Sequence, residues 1–213
     1  MHGYEITRLG VDLYGQISLE KIRSFIKNGT SLISIMAANN EIGTILPTAE
    51  IGALAKEYGI IFHTDAVQAV GHIPINVGDM NIDMLSVAGH KFRGPKGIGA
   101  LYVKKGLNLP AMIHGGGQEH NLRSGTENVA GIVGLGAALE EAASNMKENI
   151  KKVSALRDRL INGVIKIPHI RLTGDPANRL PGIASFAVEG VEGESMVMML
   201  DQNGICASSG SAC

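Results

Sequence analysis

Short apolar runs alternate with longer amphipathic ones along most of the chain. "SLISIMA" (31–37), "IIFHTDA" (60–66), "IDMLSVAG" (82–89) and "IGALYVK" (98–104) have the length and apolar character of buried strands. Between the first two lies "TAEIGALAKEYG" (48–59), apolar at helical spacing, with Pro47 before it, Thr48 as the expected N-cap and Gly59 as its stop. From about 126 to 162 the pattern is helical, softened by Gly131, Gly134 and Gly136 and charged after Glu140. "IASFAVEG" (183–190) predicts another strand. "GESMVMMLDQNG" (193–204) predicts a helix ended by Gly204, with Met196, Met198 and Met199 turned into a core, and "ICASS" begins a further strand or loop. The opening "YEITRL" reads as a strand.

Strand–helix–strand repetition of this kind predicts an α/β fold built on a mostly parallel sheet. Residues 1–145 are expected to form part of a large domain and 146–163 a connecting helix. Residues 164–213 would begin a smaller α+β domain. The chain is expected to be incomplete at both ends. In parallel sheets ligands collect beyond the carboxyl ends of the strands. Polar residues gather at those positions: Asn39 and Asn40 after the first strand, Asp65 and Gln68 after the second, His90 and Lys91 after the third.

Composition changes the picture in three ways. The 213 residues carry 28 glycines, placed singly or in short groups such as "RGPKGIG" and "HGGGQEH", which implies tight loops rather than low-complexity tracts. A net charge of −1 without a basic run gives no reason to expect nucleic acid or a membrane surface as partner. Two cysteines, Cys206 and Cys213, make no disulfide framework. The N-terminus lacks the charged head and apolar stretch of a signal peptide, and no apolar run has bilayer length. A reducing, cytoplasmic setting is expected.

Lys91 and Asp65 are the pair with the most chemistry in them. A carboxylate at one strand end and an amine at the next fit an ordinary salt bridge. They fit equally a pyridoxal phosphate site, where a lysine amine forms a Schiff base with the cofactor aldehyde and an aspartate keeps the pyridine nitrogen protonated. The glycine loop behind Lys91 would let backbone pass close to such a cofactor.

The segments "NNEIGT", "HTDAVQAVG", "GHKFRGPKGIGALYV", "HGGGQEHNLRSGTENV" and "SSGSAC" resemble, in order and spacing, the cysteine desulfurases of the NifS/IscS type. The resemblance implies a fold-type I pyridoxal phosphate enzyme of the class-V aminotransferase family that takes sulfur from L-cysteine and leaves L-alanine. By that resemblance Lys91 carries the cofactor and Asp65 pairs with its pyridine nitrogen. Gln68 bonds the phenolic oxygen, and Asn40 lies beside the ring and the substrate carboxylate. Ala88, Gly89 and His90 belong to the phosphate-binding stretch. Thr126 reaches a phosphate across a homodimer interface. Cys213 accepts the sulfur as a persulfide for a scaffold or carrier protein, with iron–sulfur cluster assembly among the destinations, and is a possible transient iron–sulfur ligand. The family usually has serine where this chain has Ala88. Its ring-stacking histidine and a phosphate-binding loop lie upstream of residue 1, and its substrate-carboxylate arginine lies downstream of Cys213.

Other readings stay open beside this one: selenocysteine lyase or aminotransferase chemistry on the same scaffold, or a non-catalytic chain that only binds partners. Among the remaining residues, Cys206 is expected to be a small buried hydrophobe and His63 a satisfied core histidine. His114 and His120 could form a metal site only with further ligands. Arg123 and Ser124 are expected on an anion-binding wall. "GIVGLG" (131–136) imitates a dinucleotide fingerprint but lacks its acidic partner and strand context.

Overall fold

The computed structural model describes residues 3–210; Cys213 lies outside the described residues. They group into two compact units that do not follow chain order. Gly29–Ile35 and Thr48–Met146 form one, here the sheet unit. Met1–Asn28, Met36–Pro47 and Lys147–Cys213 form the other, here the hairpin unit.

The sheet unit is built on four strands in the order β1 (Leu32–Ser34), β2 (Ile61–Asp65), β3 (Met84–Ala88) and β4 (Gly99–Val103). The first three are parallel, and β4 returns antiparallel to β3. Burial alternates along β2 with a period of two: Phe62 and Thr64 are buried, while Ile61, His63 and Asp65 take the other face. Helix α2 (Thr48–Glu57) packs its Ile51, Leu54 and Ala55 against the buried face. Thr48 is the first residue inside this helix rather than the residue that caps it. The helix ends as expected, in a Schellman turn: Gly59 has φ +65°, its N–H bonds Lys56 O, and Ile60 N–H bonds Ala55 O. Gly52 lies on the buried side of α2, where an added Cβ would stand 1.9 Å from Met80 O.

On the open face of the sheet the strands are cross-linked by side chains. His63 Nδ1 is 2.8 Å from Ser34 Oγ on β1, and its Nε2 is 3.0 Å from Ser86 Oγ on β3. Both ring nitrogens are therefore satisfied in the neutral form, since each hydroxyl can donate or accept. Burial pushes the imidazole pKa down, opposed by the nearby Asp65 carboxylate. The histidine is satisfied as its strand position implies, but it is half-buried on this face and not part of the buried core.

The hairpin unit holds α1 (Leu19–Phe25), capped by Ser18 through Lys21 N–H, and a two-stranded antiparallel pair, β5 (Ile170–Leu172) with β6 (Phe186–Val188). Its buried apolar residues include Ile17, Ile22, Ala37, Ala38, Leu46, Ile161 and Leu180. A single-turn α3 (Gln118–Asn121) precedes α4 (Val129–Val164). Helix α4 starts in the sheet unit and ends in the hairpin unit. Helix α5 (Gly193–Gln202) stops at Gly204, which has φ +73°. No helix of the described residues is long and apolar enough to cross a membrane.

Three expectations are corrected. Residues 4–9 form no strand, because an extended segment becomes one only through a neighbouring ladder, and Tyr4 and Ile6 stand exposed. Met198 and Met199 are exposed on α5, whose spacing leaves Met196, Val197 and Leu200 half-buried and no residue of the helix fully buried. Cys206 is exposed, in the irregular segment after α5, not buried. "GIVGLG" lies within α4, in keeping with its lack of the strand context of a dinucleotide fingerprint.

Two measurements check this packing. Helix propensity alone favours Gly52→Ala by about 1 kcal/mol. The methyl would meet backbone that cannot yield, so overpacking reverses the sign, and the variant should be less stable by about 1–2 kcal/mol in urea unfolding. His63 has a folded pKa below its unfolded value, so its contribution is complete above about pH 6.5 and is lost as pH falls towards the folded value. The stability gap between the wild type and His63→Asn should therefore narrow from pH 7.5 to pH 5; a constant gap would contradict a neutral, doubly bonded ring.

Candidate active site

The carboxyl ends of β2 and β3 lie side by side, with Asp65 in register with Ser86. Ala66 N–H bonds Ser86 O at 3.0 Å, so the chain leaves β2 locked to its neighbour. It then turns: Ala69 and Val70 N–H both bond Ala66 O at 2.9 Å, and Gln68 lies within this turn, half-buried. Asp65 is exposed at the strand end, one carboxylate oxygen accepting Val67 N–H at 3.0 Å. The turn thus uses one oxygen of Asp65 to orient the group.

β3 ends at Ala88 and passes into a 3-10 turn, Gly89–Phe92, which carries exposed His90 and half-buried Lys91. The turn closes through Gly94 N–H to Gly89 O at 2.8 Å, with Arg93 in the left-handed region at φ +68°. Phe92 is buried and anchors it. A residue not singled out from the sequence, His72, bonds Lys91 O through Nε2 at 2.8 Å. A carbonyl only accepts, so Nε2 carries the hydrogen. This bond ties the turn after β2 to the backbone of Lys91.

The glycines here are needed by the protein's own packing. A Cβ on Gly89 would stand 2.9 Å from Leu135 Cδ1, one on Gly94 2.8 Å from Gly89 O, and one on Gly99 2.5 Å from Val87 O. Ala88 sits where a side chain could cap the turn and makes no such bond.

Thr126 is exposed in the loop before α4. Arg123 braces that loop from within: Nη1 bonds Gly125 O at 2.8 Å, and Nη2 is 3.3 Å from Glu119. Ser124 N–H bonds Ile113 O at 3.1 Å, and Gly125 N–H bonds Gln118 Oε1 at 3.2 Å. Among the described residues no three His, Cys, Asp or Glu side chains are grouped to hold a metal, His114 and His120 included.

Asn40 lies in the hairpin unit, exposed in a tight loop. Asn39 shapes that loop: its Oδ1 accepts Glu41 and Ile42 N–H, both at 2.9 Å, and its N–H bonds Thr44 O at 2.8 Å. Asp65, Gln68, Ala88, Gly89, His90 and Lys91 are thus gathered on one sheet edge. Asn40 belongs to the other unit, and Cys213 lies outside the described residues.

The family model for aminotransferase class-V matches residues 1–213. The chain is 54% identical over 211 residues to "Cysteine desulfurase IscS" of Methanosarcina thermophila, covering 99% of this chain and 52% of that protein. Among solved structures, a "NIFS-LIKE PROTEIN" superposes with a TM-score of 0.92 at 37% identity, over 97% of this chain and 57% of that one. "SspA in complex with cysteine" does so with a TM-score of 0.79 at 37% identity, over 99% and 58%. The chain spans about half the length of the curated relatives it matches. A strand-edge cluster of carboxylate, amide, imidazole and lysine, on a fold shared with NifS-like proteins and under one family model from end to end, makes this chain a member of the class-V aminotransferase family.

Proposed function

We propose that the protein to which this chain belongs is a pyridoxal phosphate-dependent cysteine desulfurase, active on L-cysteine. The observation that carries the reading is the position of Lys91 and Asp65 at the ends of adjacent parallel strands, each fixed by a backbone turn. The donor set there fits the cofactor. It offers a carboxylate for a protonated ring nitrogen, an amide for a phenolic oxygen, a lysine amine for an aldehyde, and an imidazole and turn backbone for a phosphate. Ala88 supplies no hydroxyl to that phosphate.

When bound, the cofactor draws electrons from the substrate α-carbon. Asp65 would hold the ring-nitrogen proton with the carboxylate oxygen not bonded to Val67, and Gln68 would orient the ring. Lys91 would hold the cofactor at rest. When released by the substrate amine, it would move the α-proton as base and then acid. Asn40 would orient the substrate carboxylate, and Thr126 would meet the phosphate of a second subunit in a homodimer. Cys213, as thiolate, would attack the substrate sulfur: an S–S bond forms as the C–S bond breaks, the carbon is protonated, and L-alanine leaves. The persulfide would pass to an acceptor protein in the cytoplasm, of the kind that the names IscS and NifS associate with iron–sulfur assembly.

Borohydride reduction of the intact protein should place the cofactor on the peptide containing Lys91, and Lys91→Ala should remove it. A label on Lys96 or Lys104 would refute the assignment. Cys213→Ser should keep the cofactor's visible absorption yet lose sulfide release by ~100-fold or more, because the nucleophile is gone. Cys206→Ser should stay within about twofold of wild type, having no role in the chemistry. A colourless protein without turnover would favour a partner-binding role for the fold.

A further inference from the structure

Arg179 is almost completely buried, at 4% exposure, yet among the described residues no carboxylate forms an ion pair with its guanidinium, Asp175 and Asp158 acting on its charge only through space. Its donors go to backbone instead. Nε bonds Asp175 O at 2.8 Å, Nη2 bonds Thr173 O, and Nη1 reaches Ile183 O at 3.5 Å. The chain from 173 to 183 is wrapped around one side chain. Asp175 stiffens the wrap, its carboxylate accepting Ala177 N–H, Asn178 N–H and Gln16 Nε2, and the Asn178 bond leads the interactions that hold its pKa below the usual range.

The outer side of this loop is what the 38–45 segment lies on. Ile45 N–H bonds Asn178 O and Leu180 N–H bonds Gly43 O, both at 2.8 Å, and Thr44 pairs antiparallel with Arg179 itself. Thr44 is fully buried; its Oγ1 accepts Asp175 N–H at 2.9 Å and donates to Tyr14 O at 2.6 Å. The two backbones are in direct contact. A Cβ on Gly174, at φ +76°, would lie 2.4 Å from Ile42 O, and one on Gly43 would lie 2.9 Å from Ile183. Arg157 of α4 closes the arrangement by donating to Leu180 O at 2.9 Å. Asn40 lies in the short turn that Asn39 builds, whose last residue, Gly43, makes this contact.

We propose that Arg179 is a positioning residue for Asn40: its buried guanidinium holds the 173–183 loop in the shape on which the Asn40 loop is folded. The proposal rests on the reading that Asn40 meets the substrate carboxylate. A planar guanidinium with donors on three sides can span three carbonyls; an ammonium on a flexible stem is a single point and cannot.

The test uses Arg179→Lys in the intact protein. Amide hydrogen exchange in residues 38–46, followed without cofactor, should quicken about tenfold, while exchange in α2 stays unchanged, the loss being of local hydrogen bonds. KM for L-cysteine should rise about tenfold with kcat little changed, the signature of lost substrate binding. Asn40→Ala should also raise KM, and adding Arg179→Lys to it should raise KM no further, because the two act as one unit. Unchanged exchange in 38–46, or a full additional KM increase in the double variant, would overturn the proposal. If Arg179→Lys does not fold, Thr44→Val, which deletes the hydroxyl bonds to Asp175 and Tyr14, should give the same exchange and KM pattern, and its failure to do so overturns the proposal equally. A wild type that does not consume cysteine would refute the desulfurase reading, and the exchange data would then decide alone whether Arg179 holds the loop.

Discussion

Everything at the candidate site hangs on the register of β2 between β1 and β3. Side chains alternate across a strand with a period of two, so Phe62 and Thr64 enter the core only if Ile61, His63 and Asp65 take the other face. A slip of one residue would bury the carboxylate of Asp65 against α2 and expose Phe62. The register is held from both sides: Phe62 and Ile51 are fully buried against each other's elements, and His63 bonds a serine on each flanking strand. The candidate site's edge is the end of a strand held in register along its middle.

The coarse fold was legible in the sequence because its elements announce themselves locally. The apolar runs around 31–37, 60–66, 82–89 and 98–104 became β1 to β4, though β1 shrank to three residues. The long helical pattern became α4, and glycines closed α2 and α5. What escaped was short or needed a distant partner. Helix α1 has seven residues, and β5 is a strand only because β6 lies beside it. The opening "YEITRL" failed for the converse reason, alternation without a ladder.

At the site the division is similar. Lys91 and Asp65 stood out because strand ends and glycines flag them. The residues that hold the site in shape did not. His72 meets Lys91 across nineteen positions, Ser34 and Ser86 reach His63 across twenty-nine and twenty-three, and Arg179 serves carbonyls in a loop with no periodic signal at all. Polar support of this kind is satisfied in three dimensions, and no local pattern encodes it.

The chain crosses between its two units four times, so neither unit is a continuous stretch. The segment 36–47 finds its partners in 147–213 only after about a hundred intervening residues have been looped out. Closing such a loop costs about 2 kcal/mol more than closing one of ten residues. The sheet unit, made mostly of one unbroken run, carries no such burden. In folding, the sheet with its Asp65 and Lys91 is therefore expected to be in place before the loop that bears Asn40 is stitched to its template, so the order of assembly runs from the unbroken unit to the one divided along the chain.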